Sequence, residues 1–177
     1  AGGDGFTLDQ NDPHIVTHAG EMRVDEAGYF FLGGDQSITV TGSIYSQGQG
    51  NKGALVFSNI GTGVRTLNNS GLLQTTETGS TSNGTVTNYA GTLNLFNSGD
   101  ILSGGGTAVL ATIGANLLNI SNSVFLDGDI LVSSGEGTVA NSGLIDGDVL
   151  FQTIGNVTDD RYEGQGSGLV TGTVSGG

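Results

Sequence analysis

A five-residue phrase recurs along this chain: an apolar residue, a small polar residue, a glycine, a second small polar residue, then a branched apolar residue. It reads Val40-Thr41-Gly42-Ser43-Ile44, Leu126-Asp127-Gly128-Asp129-Ile130, Ile145-Asp146-Gly147-Asp148-Val149 and Val170-Thr171-Gly172-Thr173-Val174. Looser copies are Asn69-Ser70-Gly71-Leu72-Leu73 and Asn97-Ser98-Gly99-Asp100-Ile101. The central glycines are 29, 28, 29, 19 and 25 residues apart. Self-similarity at a spacing of about 20 to 50 residues marks a chain of stacked supersecondary units.

Within the phrase, polarity alternates with period two. That predicts strand, with the apolar ends and the glycine on the core face and the two polar residues outside. Glycine there leaves room for a large neighbouring side chain. Residues 122–132 and 141–151 match position by position, except Val124 against Gly143. Such a match predicts a β-solenoid in which each coil lies about 4.8 Å above the last and like residues form ladders, Asn122 over Asn141 among them. The irregular coil length predicts a right-handed parallel β-solenoid with variable loops. Five or more coils give a stack about 25–35 Å tall. Short strands at turn-rich spacing also fit an antiparallel β-sandwich or jelly roll, the alternative fold.

Helix is excluded over most of the length, because Gly, Ser, Thr and Asn dominate. Residues 1–36 hold both histidines, the one methionine, Pro13 and Tyr29-Phe30-Phe31. A solenoid end exposes raw core and open strand edges. Residues 1–36 are therefore expected to be an N-terminal cap or an atypical first coil, and 37–177 the solenoid.

The net charge is −13, with only four Lys and Arg against seventeen Asp and Glu. A nucleic-acid partner needs a basic footprint that this chain lacks. An anionic membrane would repel it, and no apolar run is long enough to insert. The 34 glycines are offset by 35% hydrophobic residues in short runs such as Ile130-Leu131-Val132, which argues for a packed core. There is no cysteine, and the sequence starts at Ala1, as expected of a processed form or an excised piece. Such an acidic chain suits a calcium-rich or saline exterior, so an extracellular or bacterial cell-surface location is expected.

Two aspartate pairs carry the sharpest chemistry. Asp127 and Asp129 flank Gly128, and Asp146 and Asp148 flank Gly147. Stacked on the outer face, four carboxylates would crowd together, and like charges directly opposite one another destabilise a sheet. Ca2+, which takes six to eight oxygen ligands in irregular geometry, is the natural counter-ion. The plain alternative is a solvated acidic face screened by salt.

Near the C-terminus, Asp159-Asp160-Arg161-Tyr162-Glu163-Gly164 precedes Gly176-Gly177. This stretch resembles the lead-in to the calcium-binding nonapeptides of bacterial repeats-in-toxin proteins, in which an Asp-Asp-x-Tyr-x-Gly phrase runs into Gly-Gly-x-Gly-x-Asp repeats. Gly2-Gly3-Asp4-Gly5-Phe6 is a weaker echo, and no complete nonapeptide occurs. The resemblance implies a secreted protein and makes Asp159, Asp160 and Glu163 secondary calcium candidates.

No enzyme is expected. Polygalacturonase-type solenoids carry Gly-His-Gly and Arg-x-Lys motifs absent here. His14 and His18 lack the intervening Glu of a zincin helix. Gly104-Gly105-Gly106 lacks a Lys-Ser/Thr partner and a following helix. The expected role is a structural or adhesive module of a fibre, surface layer or biofilm matrix, assembling as a homo-oligomer through the solenoid ends. The alternative is a carbohydrate-binding or carbohydrate-active solenoid, phage-type fibres included, which engages surface glycans. Tyr45, Tyr89 and Tyr162 are its stacking candidates outside residues 1–36.

Overall fold

The computed structural model describes residues 4–8, 12–49, 52–58, 62–76, 83–152 and 159–176. Those residues form an 18-stranded, all-parallel β-solenoid. No pairing among the described strands is antiparallel, so the sandwich alternative is excluded.

Each coil runs through three faces. Face A stacks β2 (His14–His18), β5 (Gln36–Val40), β8 (Val64–Asn69), the second half of β10 (Val86–Asn97), the end of β11 (Asp100–Asn122), β13 (Glu136–Asn141) and β16 (Arg161–Gly164). Face B stacks β3 (Glu21–Val24), β6 (Ser43–Ser46), β9 (Leu72–Thr75), the start of β11, the start of β12 (Phe125–Val132), β14 (Leu144–Asp146) and β17 (Leu169–Val170). Face C begins with β1 (Phe6–Leu8), β4 (Tyr29–Phe31), β7 (Leu55–Phe57) and the start of β10. It continues through the middle of β11 and the end of β12 to β15 (Val149–Phe151) and β18 (Val174–Ser175). The A, B, C order starts at His14, so part of residues 1–36 is in regular register with the coils that follow.

Register explains why these residues make these strands. On face A, the inward residues Ile38, Leu67, Leu95, Ile120 and Val139 lie one above another. Face B repeats this with Ile44, Leu73, Ile101, Leu126 and Ile145. All ten are buried, and each contributes about 1.5–3 kcal/mol through its removal from water. A one-residue slip in any coil would turn its whole apolar set outward, so the ladders lock the stacking. Face C opens with an aromatic stack, Phe31 on Phe57 at 5.1 Å between ring centroids. Two of its strands, β7 and the middle of β11, read as continuous apolar runs because the outward Val56 and Leu110 are buried as well as their neighbours.

The glycine phrase proves to mark two different corners. Its apolar ends do point inward: Val40, Ile44, Leu126 and Ile130 are fully buried. Its centre, however, lies where the chain turns from one face to the next. At the A–B corner, Gly42, Gly71 and Gly99 stack on one another, and Val124, Gly143 and Gly168 continue the column. At the B–C corner, Gly128, Gly147 and Gly172 form a second column. The requirement for glycine is close backbone approach. A Cβ on Gly71 would lie 1.9 Å from the Gly42 carbonyl oxygen, and one on Gly147 would lie 2.5 Å from that of Gly128.

Candidate functional site

The four predicted aspartates are divided between face B and the B–C corner. Asp127 and Asp146 are register partners on the outside of face B. Asp129 and Asp148 sit past the glycines, where their carboxylates serve the backbone. Asp129 Oδ1 accepts the Asp148 N–H at 2.9 Å, and Asp148 Oδ1 accepts the Thr173 N–H at 2.6 Å. Asp146 Oδ1 accepts the Thr171 hydroxyl at 2.6 Å. Among the described residues, no three or more His, Asp or Glu groups converge to hold a metal ion.

The secondary candidates lie on or beside strand β16. Asp160 Oδ1 accepts the Gly137 N–H at 2.8 Å, Glu163 pairs with Arg161 at 2.7 Å, and Asp159 is exposed. The same backbone role recurs elsewhere. Asp35 Oδ1 accepts the Val64 N–H at 2.8 Å, and Asp4 Oδ1 accepts the Ala27 N–H at 3.2 Å. Five aspartates therefore cap corners, supplying an acceptor where a turn leaves an N–H without its ladder partner. Asp4 and Glu26 also clamp Lys52 at 2.9 and 2.7 Å. Desolvation opposes the Lys52 charge, and the hydrogen bonds to Glu26 and Asp4 outweigh it, leaving the ammonium above its ordinary pKa.

The asparagine ladder extends beyond the pair visible as a repeat. Asn69, Asn97, Asn122 and Asn141 are all buried, and each Nδ2 donates to the next Oδ1 at 2.8, 2.8 and 2.9 Å. The sequence steps are 28, 25 and 19 residues, so coils of unequal length still meet at one corner. The Asn141 Nδ2 ends the run on the Tyr162 hydroxyl at 3.4 Å.

Two features went unread in the sequence. Arg65 is fully buried. Its Nη1 donates to Asn88 Oδ1 at 3.3 Å, while Nε, Nη2 and the Oε1 of its register partner Gln36 have no hydrogen-bond partner. Burial pushes the guanidinium below its ordinary pKa, against the attraction of Asp35. Alternation could have found it: Arg65, Leu67 and Asn69 occupy the inward positions of β8. The second feature is Phe96, whose outward position follows from buried Leu95 and Asn97 on either side.

Phe96 is 51% exposed and borders a shallow groove of about 170 Å³. The groove is lined by Thr39, Asn68 and Ser121 of face A and by Ser70, Ser98 and Ser123 of the A–B corner. Each corner serine donates its hydroxyl proton to a carbonyl of the preceding coil: Ser70 to Val40 at 3.4 Å, Ser98 to Asn69 at 3.2 Å and Ser123 to Asn97 at 3.1 Å. Around the groove, the two outward columns of face A carry no ionisable group from β5 to β13, and on β16 they end in Arg161 and Glu163. One is Ser37, Thr66, Asn94, Asn119 and Thr138, and the other is Thr39, Asn68, Phe96, Ser121 and Ala140.

The three tyrosines expected as stacking candidates are already engaged. The Arg23 guanidinium lies 4.1 Å over the Tyr45 ring, the Tyr89 hydroxyl donates to Asn83 Oδ1, and Tyr162 packs against the core. The two histidines lie on a strand, not on a helix. His18 is buried with Nε2 3.2 Å from the Ser43 carbonyl and Nδ1 3.3 Å from the Tyr29 hydroxyl. The carbonyl can only accept, which places the ring proton on Nε2. Comparison of the chain with protein-family models, with curated proteins and with solved structures returned no match.

Proposed function

We propose that this chain is an extracellular structural or adhesive β-solenoid module of bacterial type, serving a fibre, surface layer or biofilm matrix and assembling through its ends. The observation that carries the reading is the unbroken parallel stack from β2 to β16, with strand edges open at both ends among the described residues. Open edges accept another parallel coil, from a second copy or from adjoining chain. Apolar side chains accompany them: Phe6 and Ile15 are exposed at one end, Leu169 and Val174 at the other. The charge of −13 supports an exterior setting, where salt and divalent cations screen repulsion. Calcium enters the reading through the Asp127–Asp146 column, the repeats-in-toxin resemblance through residues 159–164.

The test is assembly. Light scattering behind size exclusion, with electron microscopy, should show rods whose length grows with concentration. A strict monomer over the whole accessible range would remove the end-to-end reading. Repeating the melt in millimolar calcium tests the ion separately. An upward shift that vanishes in the Asp127→Asn/Asp146→Asn double variant supports it, and an unchanged melt discards it.

A further inference from the structure

We propose that the groove beside Phe96 is a binding site for a neutral, hydroxyl-rich glycan chain lying along the solenoid axis. The inference deepens the adhesive half of the proposed function and rests on it. Three observations converge on one ligand chemistry.

The first is charge. No ionisable side chain lines the groove, which sits on the column of Thr39, Asn68, Phe96 and Ser121 in a chain of net charge −13. An acidic polymer meets long-range repulsion, and a cationic one finds no carboxylate there to pair with. The second is the ring. Phe96 stands half-exposed between Asn68 and Ser121 in its own column, flat apolar surface among amides and hydroxyls. A sugar ring presents that combination in mirror form, with C–H groups on its face for the aromatic ring and hydroxyls at its rim for the polar neighbours.

The third is preorganisation. Ser70, Ser98 and Ser123 have their protons committed to carbonyls, so their oxygens stand fixed as acceptors for ligand hydroxyls. No hydrogen bond joins the side chains of Thr39, Asn68 or Ser121 to a described residue, so their donors and acceptors are open to a ligand. These groups are carried on paired strands, and little ordering entropy remains to be lost on binding. Successive coils repeat them about every 4.8 Å, close to the length of one sugar ring, so neighbouring rings of a chain meet equivalent groups.

Affinity electrophoresis of the whole chain tests this, using gels containing hydroxyethylcellulose, mixed-linkage β-glucan, mannan or dextran, with alginate as the acidic comparison. Retardation is expected in at least one neutral gel and not in alginate. Phe96→Ala should weaken it about fivefold or more through the lost stacking surface, Asn68→Ala should weaken it too, and Ser37→Ala, outside the groove, should leave it unchanged. Thermal melts of all three variants confirm folding. The proposal falls if no neutral gel retards the protein, if Phe96→Ala migrates like the parent, or if alginate binds as well. A dimer in sedimentation velocity that Phe96→Ala dissolves would also overturn it, by assigning the face to a second copy. End-to-end rods without glycan retention would overturn this site and leave the scaffold reading standing.

Discussion

Asn97 Nδ2 donates to Asn122 Oδ1 at 2.8 Å, while Asn97 Oδ1 accepts from Asn69 Nδ2 at the same distance. A single amide thus joins three coils. It also satisfies the carbonyls of Gly99 at 3.0 Å and Phe125 at 3.1 Å, which the corner turns away from the ladder. Asn97→Ala should orphan buried groups on both neighbours, at about 1–3 kcal/mol for each. Urea unfolding should show a loss of several kcal/mol. Asn119→Ala, which breaks the less buried bond to Asn94, should cost under about 1 kcal/mol. Equal losses would show that the inner ladder has no special role.

The A–B glycine column gives a position-dependent test. A Cβ on Gly71 would meet the Gly42 carbonyl oxygen at 1.9 Å, whereas one on Gly20, in the first coil, would meet nothing within 4 Å. Gly71→Ala should therefore destabilise strongly, by about 3 kcal/mol or more, because backbone must move. Gly20→Ala should be neutral or slightly stabilising through reduced unfolded-state entropy. Paired thermal melts decide it, and similar losses at the two sites would refute stacking as the cause.

Arg65 is costly where it stands. Two of its guanidinium nitrogens have no hydrogen-bond partner although the side chain is fully buried. Arg65→Met keeps the volume and removes the buried charge, so it should leave the unfolding midpoint unchanged or raise it. A loss above about 2 kcal/mol would show that Arg65 is a net stabiliser. The expected sign is opposite to that of nearly every other core substitution.

The corner aspartates need an acceptor more than a charge. Asp148→Asn retains an oxygen for the Thr173 N–H and relieves repulsion with Asp129, so it should be at least as stable as the parent at low salt. Asp148→Ala should lose about 1 kcal/mol. Urea titrations at low and high salt separate the two terms, since only the repulsion is screened.

Alkaline pH should expose two tyrosines. Burial raises Tyr29 and Tyr89 above the ordinary value of 10.0. A raised folded-state pKa means that stability is full below the unfolded value and is lost as pH climbs through the folded one. The melting temperature should thus fall above about pH 10, in step with late phenolate absorbance. Tyr89→Phe should remove part of both signals, and an unchanged phenolate titration would contradict the burial.

Much of the fold is legible along the chain because a solenoid repeats in sequence what it repeats in space. Val40 and Ile44, or Leu126 and Ile130, point inward as alternation requires, and the Asn122–Asn141 rung follows from aligning two matched stretches. The sequence by itself determined most of the apolar core and that the two matched stretches stack residue on residue, while the antiparallel sandwich stayed open as the alternative until the parallel register excluded it. Only the tertiary structure decided which copies are equivalent. Gly42 and Gly172 sit in near-identical phrases yet occupy different corners, because local polarity is the same at both and stacking register is a relation between distant segments. The same limit hid the division of Asp127 from Asp129, the uncharged lining of the groove beside Phe96 and the unmatched donors of Arg65. Each depends on what lies one coil above or below, about 4.8 Å away in space and 19 to 29 residues away in sequence.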